Sequence, residues 1–377
     1  MELINFDCKK INLIRYNNLH ISPKISLLKQ IIRVLFFKID FEYIDNNSTT
    51  LMVKSWTRGD IDKEYNFLIY KIIKTIKKKP SELKIFDRYK FTFNLKILKI
   101  ISLKKIYKII FFEKNSVKIL MDYLTKLEAT NFIYRLTLSN KNFYKIKSSI
   151  TNMEMQYYEN ILAQYFNIKK KNTFTLNHAF YRFEGYSIKP NNVGPINYMA
   201  AVSKYSLVWG SAQKIFVKKY TKQIPIIIGS SIRKINKTKK NKLRIASNIL
   251  ILLESEKKFL KNHKIINQLK SHKKILIIKH PDDQNNYKNT IEVTHKNKKL
   301  PSEVFGCDTS ALIKYGISNF NIHLFKSSFF LKNNIKFFKK SQYDNFFILK
   351  KKYRLIFWTM YTTYGKKLPN KFINLIK

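Results

Sequence analysis

Short apolar runs, each halted by glycine, proline or a polar cluster, recur along the chain and alternate with stretches of helical spacing. Residues 172–176, 206–209, 224–228, 249–253, 275–278 and 321–325 are too brief for helices and rich in β-branched and aromatic residues, so they predict strands. Strand, helix, strand with short connections is the signature of a parallel sheet covered on both faces. Nearer the start, residues 25–39, 60–77, 116–127 and 152–166 carry helical spacing, and 50–53 reads as a short strand. Residues 107–112, apolar and β-prone, read as a buried strand.

At 377 residues, against a prior of roughly 150 per domain, two units are expected. The expected fold class is α/β, with two parallel-sheet units. Residues 1–215 form the first unit, 216–345 the second, and 346–377 a helical tail packing back on the body. The run 224–228 and its turn Gly229-Ser230-Ser231 open the second unit. The tail carries Tyr353, Phe357, Trp358, Tyr361 and Tyr364. A stripe of this kind predicts a helix buried against the core, with an interfacial membrane contact as the alternative.

The formal charge of +49 raises a nucleic-acid reading. Three features argue against it: the basic residues are mostly lysine, they are spread over the whole length, and no helix-turn-helix, zinc-finger or RNA-binding pattern stands out. Attraction to anionic lipid or an anionic glycan is the better use of the charge. Cys8 and Cys307 match no metal spacing, which fits a reducing compartment. No window approaches the roughly 18 apolar residues of a membrane span, and no secretory leader is evident. A cytoplasmic protein, peripheral at most on the inner face of the membrane, is expected.

Three motifs place reactive groups where an apolar run stops, and open α/β sheets build their sites there. His178 follows Thr-Phe-Thr-Leu-Asn and is placed to take a proton from a hydroxyl. Arg182, Glu184 and Gly185 follow; Glu184 is a second candidate base and Arg182 an anion ligand or its partner. His280 and Pro281 end the run Lys-Ile-Leu-Ile-Ile-Lys, where proline fixes the histidine at the strand exit. Asp308, Thr309 and Ser310 open an apolar helical run ending at Gly316, with Asp308 or Thr309 as the N-cap. Gly229 and Ser230, in the turn after a strand, are further candidates to bind the donor phosphate, while Gly210 at a strand end and Ser302 and Glu303 just upstream of the third motif are weaker candidates for donor or acceptor contacts. No phosphate-loop, dinucleotide or metalloprotease motif is present, so no metal and no cofactor is called for.

Taken in order, these segments resemble the bacterial surface-polysaccharide glycosyltransferases of GT-B architecture. That group includes capsule and lipooligosaccharide enzymes, sialyltransferases and polysialyltransferases, and the CDP-glycerol glycerophosphotransferases of teichoic acid synthesis. Leu-Asn-His-Ala-Phe-Tyr (Leu176 to Tyr181) is similar to the family's Leu-Gln-His-Gly-Phe segment, with Asn177 and Ala179 replacing Gln and Gly. Phe183-Glu184-Gly185 resembles the sialyltransferase acidic-acidic-Gly motif with its first acid replaced. Lys279-His280-Pro281 matches the His-Pro motif, and Asp308-Thr309-Ser310 the Ser/Thr-Ser motif at a helix start.

The resemblance implies two Rossmann-like domains facing across a cleft. A nucleotide sugar would sit on the second domain at His280, Pro281, Thr309 and Ser310, with a glycan or lipid-linked glycan acceptor on the first. His178, or else Glu184, would be the base, with the histidine favoured. Transfer from a CDP-alcohol is the rival within the class, a basic nucleic-acid-binding protein the rival outside it, and a non-catalytic member a third possibility.

Overall fold

The structure is a computed structural model. It describes residues 2–11, 23–55, 59–92, 102–113, 115–152, 157–176, 201–232, 249–254, 258–269, 275–280, 283–294, 301, 303–309, 311–318, 320–332, 334–363 and 367–377.

The first unit contains α1 (Pro23–Phe36), β1 (Phe37–Ile44), β2 (Thr50–Lys54), α2 (Gly59–Ile76), β3 (Ser81–Phe91), α3 (Leu103–Phe112) and α4 (Ser116–Ser139). It continues through β4 (Ser148–Asn152), α5 (Tyr157–Ile168), β5 (Asn172–Leu176), β6 (Tyr205–Val208), α6 (Ser211–Tyr220) and β7 (Ile224–Ile227). Its sheet runs β1-β3-β2-β4-β5-β6-β7, parallel throughout except for the β1 edge.

The second unit contains β8 (Ile249–Leu252), α7 (Phe259–Leu269), β9 (Ile275–Ile278), β10 (Thr290–Glu292), β11 (Glu303–Gly306), α8 (Ala311–Ile317) and β12 (Asn321–Phe325). After these come α9 (Phe329–Lys332), β13 (Phe338–Lys340), β14 (Phe346–Leu349), α10 (Arg354–Thr359) and finally α11 (Asn370–Ile376). Here the order is β10-β9-β8-β11-β12-β14-β13, with antiparallel pairing only where β14 meets β12 and β13. The molecule is therefore α/β with two mainly parallel sheets, as the strand-helix alternation predicts.

Strand alternation explains why each sheet is sandwiched. Leu51, Val53, Leu83 and Ile85 point to one face of the first sheet, against Phe132, Ile133 and Leu162 of α4 and α5. Met52, Ile150, Phe174 and Leu207 point to the other, against Tyr65, Leu68 and Ile72 of α2. In the second sheet Leu250, Leu252, Val304 and Leu324 meet α8 and α10, while Ile249, Ile251, Ile275 and Ile277 meet α7.

The structure corrects several expectations. Residues 107–112 are the end of helix α3, not a strand. Ser102 caps the helix by accepting from the Lys105 N–H at 3.2 Å, and Ile109 is its buried side chain. An apolar run this short fits both periods, and the cap decides it. Residues 152–166 are not one helix, because Asn152 ends β4 and α5 starts at Tyr157. Strand β4 is Ser-Ser-Ile-Thr-Asn, wholly buried, with Ser148 Oγ 3.1 Å from Thr50 Oγ1 and Thr151 donating to the Phe174 carbonyl.

The run expected to open the second unit, β7, instead pairs with β6 as the edge of the first sheet. Four residues of the supposed helical tail form strand β14, paired with β12 and β13. The remainder of that stretch is helical in part. Phe357, Trp358 and Tyr361 are buried in the second core, which removes them as a membrane contact. Helix α11 then returns to the first sheet, where Phe372 meets Phe174 edge-on at 5.2 Å. Its last carbonyls accept from Thr50 Oγ1 and Asn172 Nδ2 at 2.8 and 2.9 Å, which satisfies groups that a helix end leaves open. Among the described residues no helix is long and apolar enough to cross a membrane.

Candidate functional site

Strand order reverses between β8 and β11 in the second sheet and between β2 and β4 in the first. Such switch points leave a crevice beyond the strand carboxyl ends. In the second unit's crevice β8 exits into Glu254, β11 into Cys307 and Asp308, and β9 into His280. Lys261, in the first turn of α7, spans the switch point: its ammonium lies 2.9 Å from Glu254 Oε2 and 3.0 Å from Asp308 Oδ2. Burial opposes that charge, but the Cys307 sulfur and the two carboxylates outweigh it and raise the lysine above its ordinary range. Burial and the Asp308 charge push the Cys307 thiol up to about 12. Donor atoms of Glu254, Cys307 and Asp308 lie within 4.8 Å of one another and could gather a cation; the Lys261 ammonium already bridges the two carboxylates.

Asn262, the next residue, ties this cluster to the histidine turn. Its amide oxygen accepts from the Glu254 N–H at 3.0 Å, and its nitrogen donates to the Glu254 carbonyl and to Tyr287. The Tyr287 hydroxyl donates to Asp283 at 2.7 Å, and the Asp283 N–H donates to the His280 carbonyl at 2.9 Å. His280 and Asp308 both stand at the carboxyl edge of this sheet, linked through adjacent residues of α7.

Other candidates serve differently. Thr309 uses its oxygen to accept from the Ala311 N–H at the start of α8, and Asp308 accepts from Lys261 and Ser328. Gly210 and Gly229 form a seam: a Cβ on Gly210 would lie 2.3 Å from the Met360 carbonyl, and one on Gly229 2.5 Å from the Thr363 carbonyl. Gly229 also has φ +80°, a conformation side chains resist. Ser230 is buried in the same seam, 2.8 Å from the Thr362 hydroxyl. Glu303 opens β11 at the amino edge, the end opposite the crevice, where it binds Asn321 and the buried His323. His178, Arg182, Glu184, Gly185, Pro281, Ser302 and Ser310 lie outside the described residues.

Sequence reasoning missed the groups between the two units. A cleft of about 660 Å³ is lined by Lys63, Asn66, Phe67 and Tyr70 of α2, Ser231 and Ile232 after β7, and Lys314 of α8. Every one of these segments follows on a strand carboxyl end. Glu64 accepts from the Ser231 N–H at 3.1 Å and from its hydroxyl, and Lys71 donates to the Ile228 carbonyl at 2.8 Å, so α2 holds the β7 exit in place. Burial, and then the Lys63 charge, lowers the pKa of Lys314. Two cations from different units thus face one opening, an arrangement that attracts anions. In a chain with 73 lysines and arginines, no pattern could have marked these two. Glu159, also missed, clasps the other switch point, accepting from the N–H groups of Ser55 and Asn152 at 3.3 and 2.9 Å.

No family model matches the chain, and no curated protein matches it. Among solved structures the calicheamicin glycosyltransferase CalG4 overlaps with 72% of this chain and 78% of its own, at 9% identity and a TM-score of 0.33.

Proposed function

We propose that this chain is a glycosyltransferase of the GT-B kind, moving a sugar from a nucleotide donor to a glycan acceptor of the cell surface. One observation carries the reading: segments following the strand ends of both sheets line a single basic cleft, with Lys63 on one side and Lys314 on the other. A donor of this class brings a phosphate-linked sugar, and its leaving group gains negative charge as the bond breaks. Fixed cations aimed at that charge lower the barrier without a bound metal.

In the reaction, the acceptor hydroxyl oxygen bonds to the anomeric carbon and the bond from that carbon to the donor phosphate oxygen breaks. The nucleotide departs with the electron pair, and the hydroxyl proton passes to His178, or to Glu184 if the carboxylate is the base. His280, on its pinned turn, is assigned to the donor phosphate, and Lys314 and Lys63 to the charge that develops there. The acceptor belongs on the first unit.

A thermal-shift screen with UDP, CMP, CDP and GDP tests this reading, since a ligand at about 100 times its Kd adds roughly 2.7 kcal/mol to stability. One nucleotide should protect the native chain and leave His280→Ala unprotected. Absence of protection by all four, together with salt-sensitive binding to duplex DNA, would sink the proposal. Turnover of CDP-glycerol in place of any nucleotide sugar would move it to alcohol-phosphate transfer.

A further inference from the structure

Helix α3 is apolar on two sides. Its inner side packs Ile106 and Ile109 against Leu120, Tyr123 and Leu124. On its outer side Leu103, Tyr107, Ile110, Phe111 and Phe112 are between 49% and 77% exposed. Leu103, Tyr107, Ile110 and Phe111 follow the spacing of a single helical stripe. Tyr107 and Phe111 touch, ring centres 4.7 Å apart, so the stripe is a continuous surface rather than scattered residues. Isolated exposed apolar residues need no explanation, but a contiguous patch marks a contact.

The charges around the stripe identify the contact. Helix α3 carries Lys104, Lys105 and Lys108 and no acidic residue, in a chain of net charge +49. Lys105 folds back over the Tyr123 ring at 5.1 Å, while Lys104 and Lys108 stand exposed beside the stripe. Aromatic and aliphatic side chains flanked by lysines, on a helix lying along the surface, suit the boundary between lipid headgroups and acyl chains. A protein partner with an apolar groove would not call for this surplus of positive charge, whereas an anionic bilayer does. We infer that α3 seats this protein on an anionic membrane surface, with Leu103, Tyr107, Phe111 and Phe112 entering the interface and Lys104 and Lys108 meeting the headgroups. The inference stands apart from the transfer reaction, because α3 contributes nothing to the cleft.

The test is co-sedimentation of the full chain with phosphatidylcholine vesicles containing about a third phosphatidylglycerol, against pure phosphatidylcholine, at about 0.15 M salt. A chain this basic will touch anionic vesicles by charge alone, so the decisive variant keeps every charge. Tyr107→Ser with Phe111→Ser should weaken binding to the anionic vesicles by at least about tenfold, since both side chains are exposed in the free protein and leave water only on the membrane. In Phe111→Trp, the emission of the added indole, read as the difference from the native chain, should shift to the blue when anionic vesicles are added. Trp209 and Trp358 are already buried and should not respond. Equal sedimentation of the double variant and the native chain overturns the inference, as does a difference emission in Phe111→Trp that vesicles leave unshifted. Concentration-dependent dimers that vanish in the double variant, without vesicle binding, would assign the stripe to a second copy instead. Nucleotide protection of the double variant, measured alongside, separates failure here from failure of the transferase reading.

Discussion

Gly316 lies flat against Trp358: a methyl group on that glycine would stand 2.3 Å from both Cγ and Cδ2 of the indole. This is how α8 and α10 come close enough to share one core, and Trp358 is 1% exposed in consequence. Glycine inside a helix ordinarily costs about 1 kcal/mol relative to alanine, so on propensity alone Gly316→Ala would stabilise. Overlap with a buried indole reverses the sign. The variant should lose about 2 kcal/mol or more in urea titrations, and a second change, Trp358→Leu, should recover part of that loss.

A buried carboxylate organises the helical layer of the first unit. Glu128 accepts from Gln30 Nε2 at 2.8 Å and from the hydroxyls of Tyr157 and Tyr158 at 2.9 and 2.8 Å. Glu128→Ala should cost about 3 kcal/mol or more, because it strands buried donors on both α1 and α5. Glu128→Gln should cost less, since it keeps an acceptor. Denaturation followed by circular dichroism checks the order of the two.

Both thiols should be inert in the native protein. Burial and the neighbouring Asp122 push Cys8 up to about 12, and burial and Asp308 do the same to Cys307. The thiolate is the reactive form, so at about pH 8 iodoacetamide should add to neither cysteine in water and to both in urea. Intact mass reads the result directly.

Lys314 makes stability depend on pH in a direction opposite to that of a paired lysine. Its folded pKa is lowered, first by burial and then by Lys63, so between that value and the unfolded value of about 10.5 the unfolded chain holds more protons. Stability from this group therefore rises as pH climbs through that window. Lys314→Met should leave stability unchanged or higher at about pH 7.5 and flatten the rise above it, with the size reduced by solvent screening of a half-exposed group. Urea midpoints across the window decide it. If Lys63 and Lys314 hold the donor phosphate as proposed, inorganic phosphate should stabilise the native chain more than the Lys314→Met variant.

The legible strands are those that bury aliphatic or aromatic side chains along their length, such as Phe174 and Leu176 in β5. Runs at 172–176, 275–278 and 321–325 coincide with β5, β9 and β12 because their termini are marked by polar residues or turns. Strand β4 escapes notice because its buried side chains are mostly serine, threonine and asparagine, whose hydrogen bonds are made across the sheet and leave no trace in hydropathy. Helix α3 is misread because residues 109–112 are apolar in succession, a run too short to tell the helical period from that of a buried strand.

For the site, His280 can be placed at a strand exit because the strand before it is unbroken. Lys63 and Lys314 acquire meaning only when two distant helices are brought face to face. The same limit hides Lys261, whose two acidic partners lie at the ends of different strands.

The return of α11 to the first sheet has a consequence for biosynthesis. Phe174 and Tyr205, stacked 5.0 Å apart, share a core with Phe372, which follows the whole second unit along the chain. As the polypeptide leaves the ribosome, the earlier half keeps a bare aromatic surface until the later half has been translated and α11 emerges to cover it. Nascent chains paused before Phe372 should therefore be the ones that chaperones hold and that aggregate when chaperones are scarce.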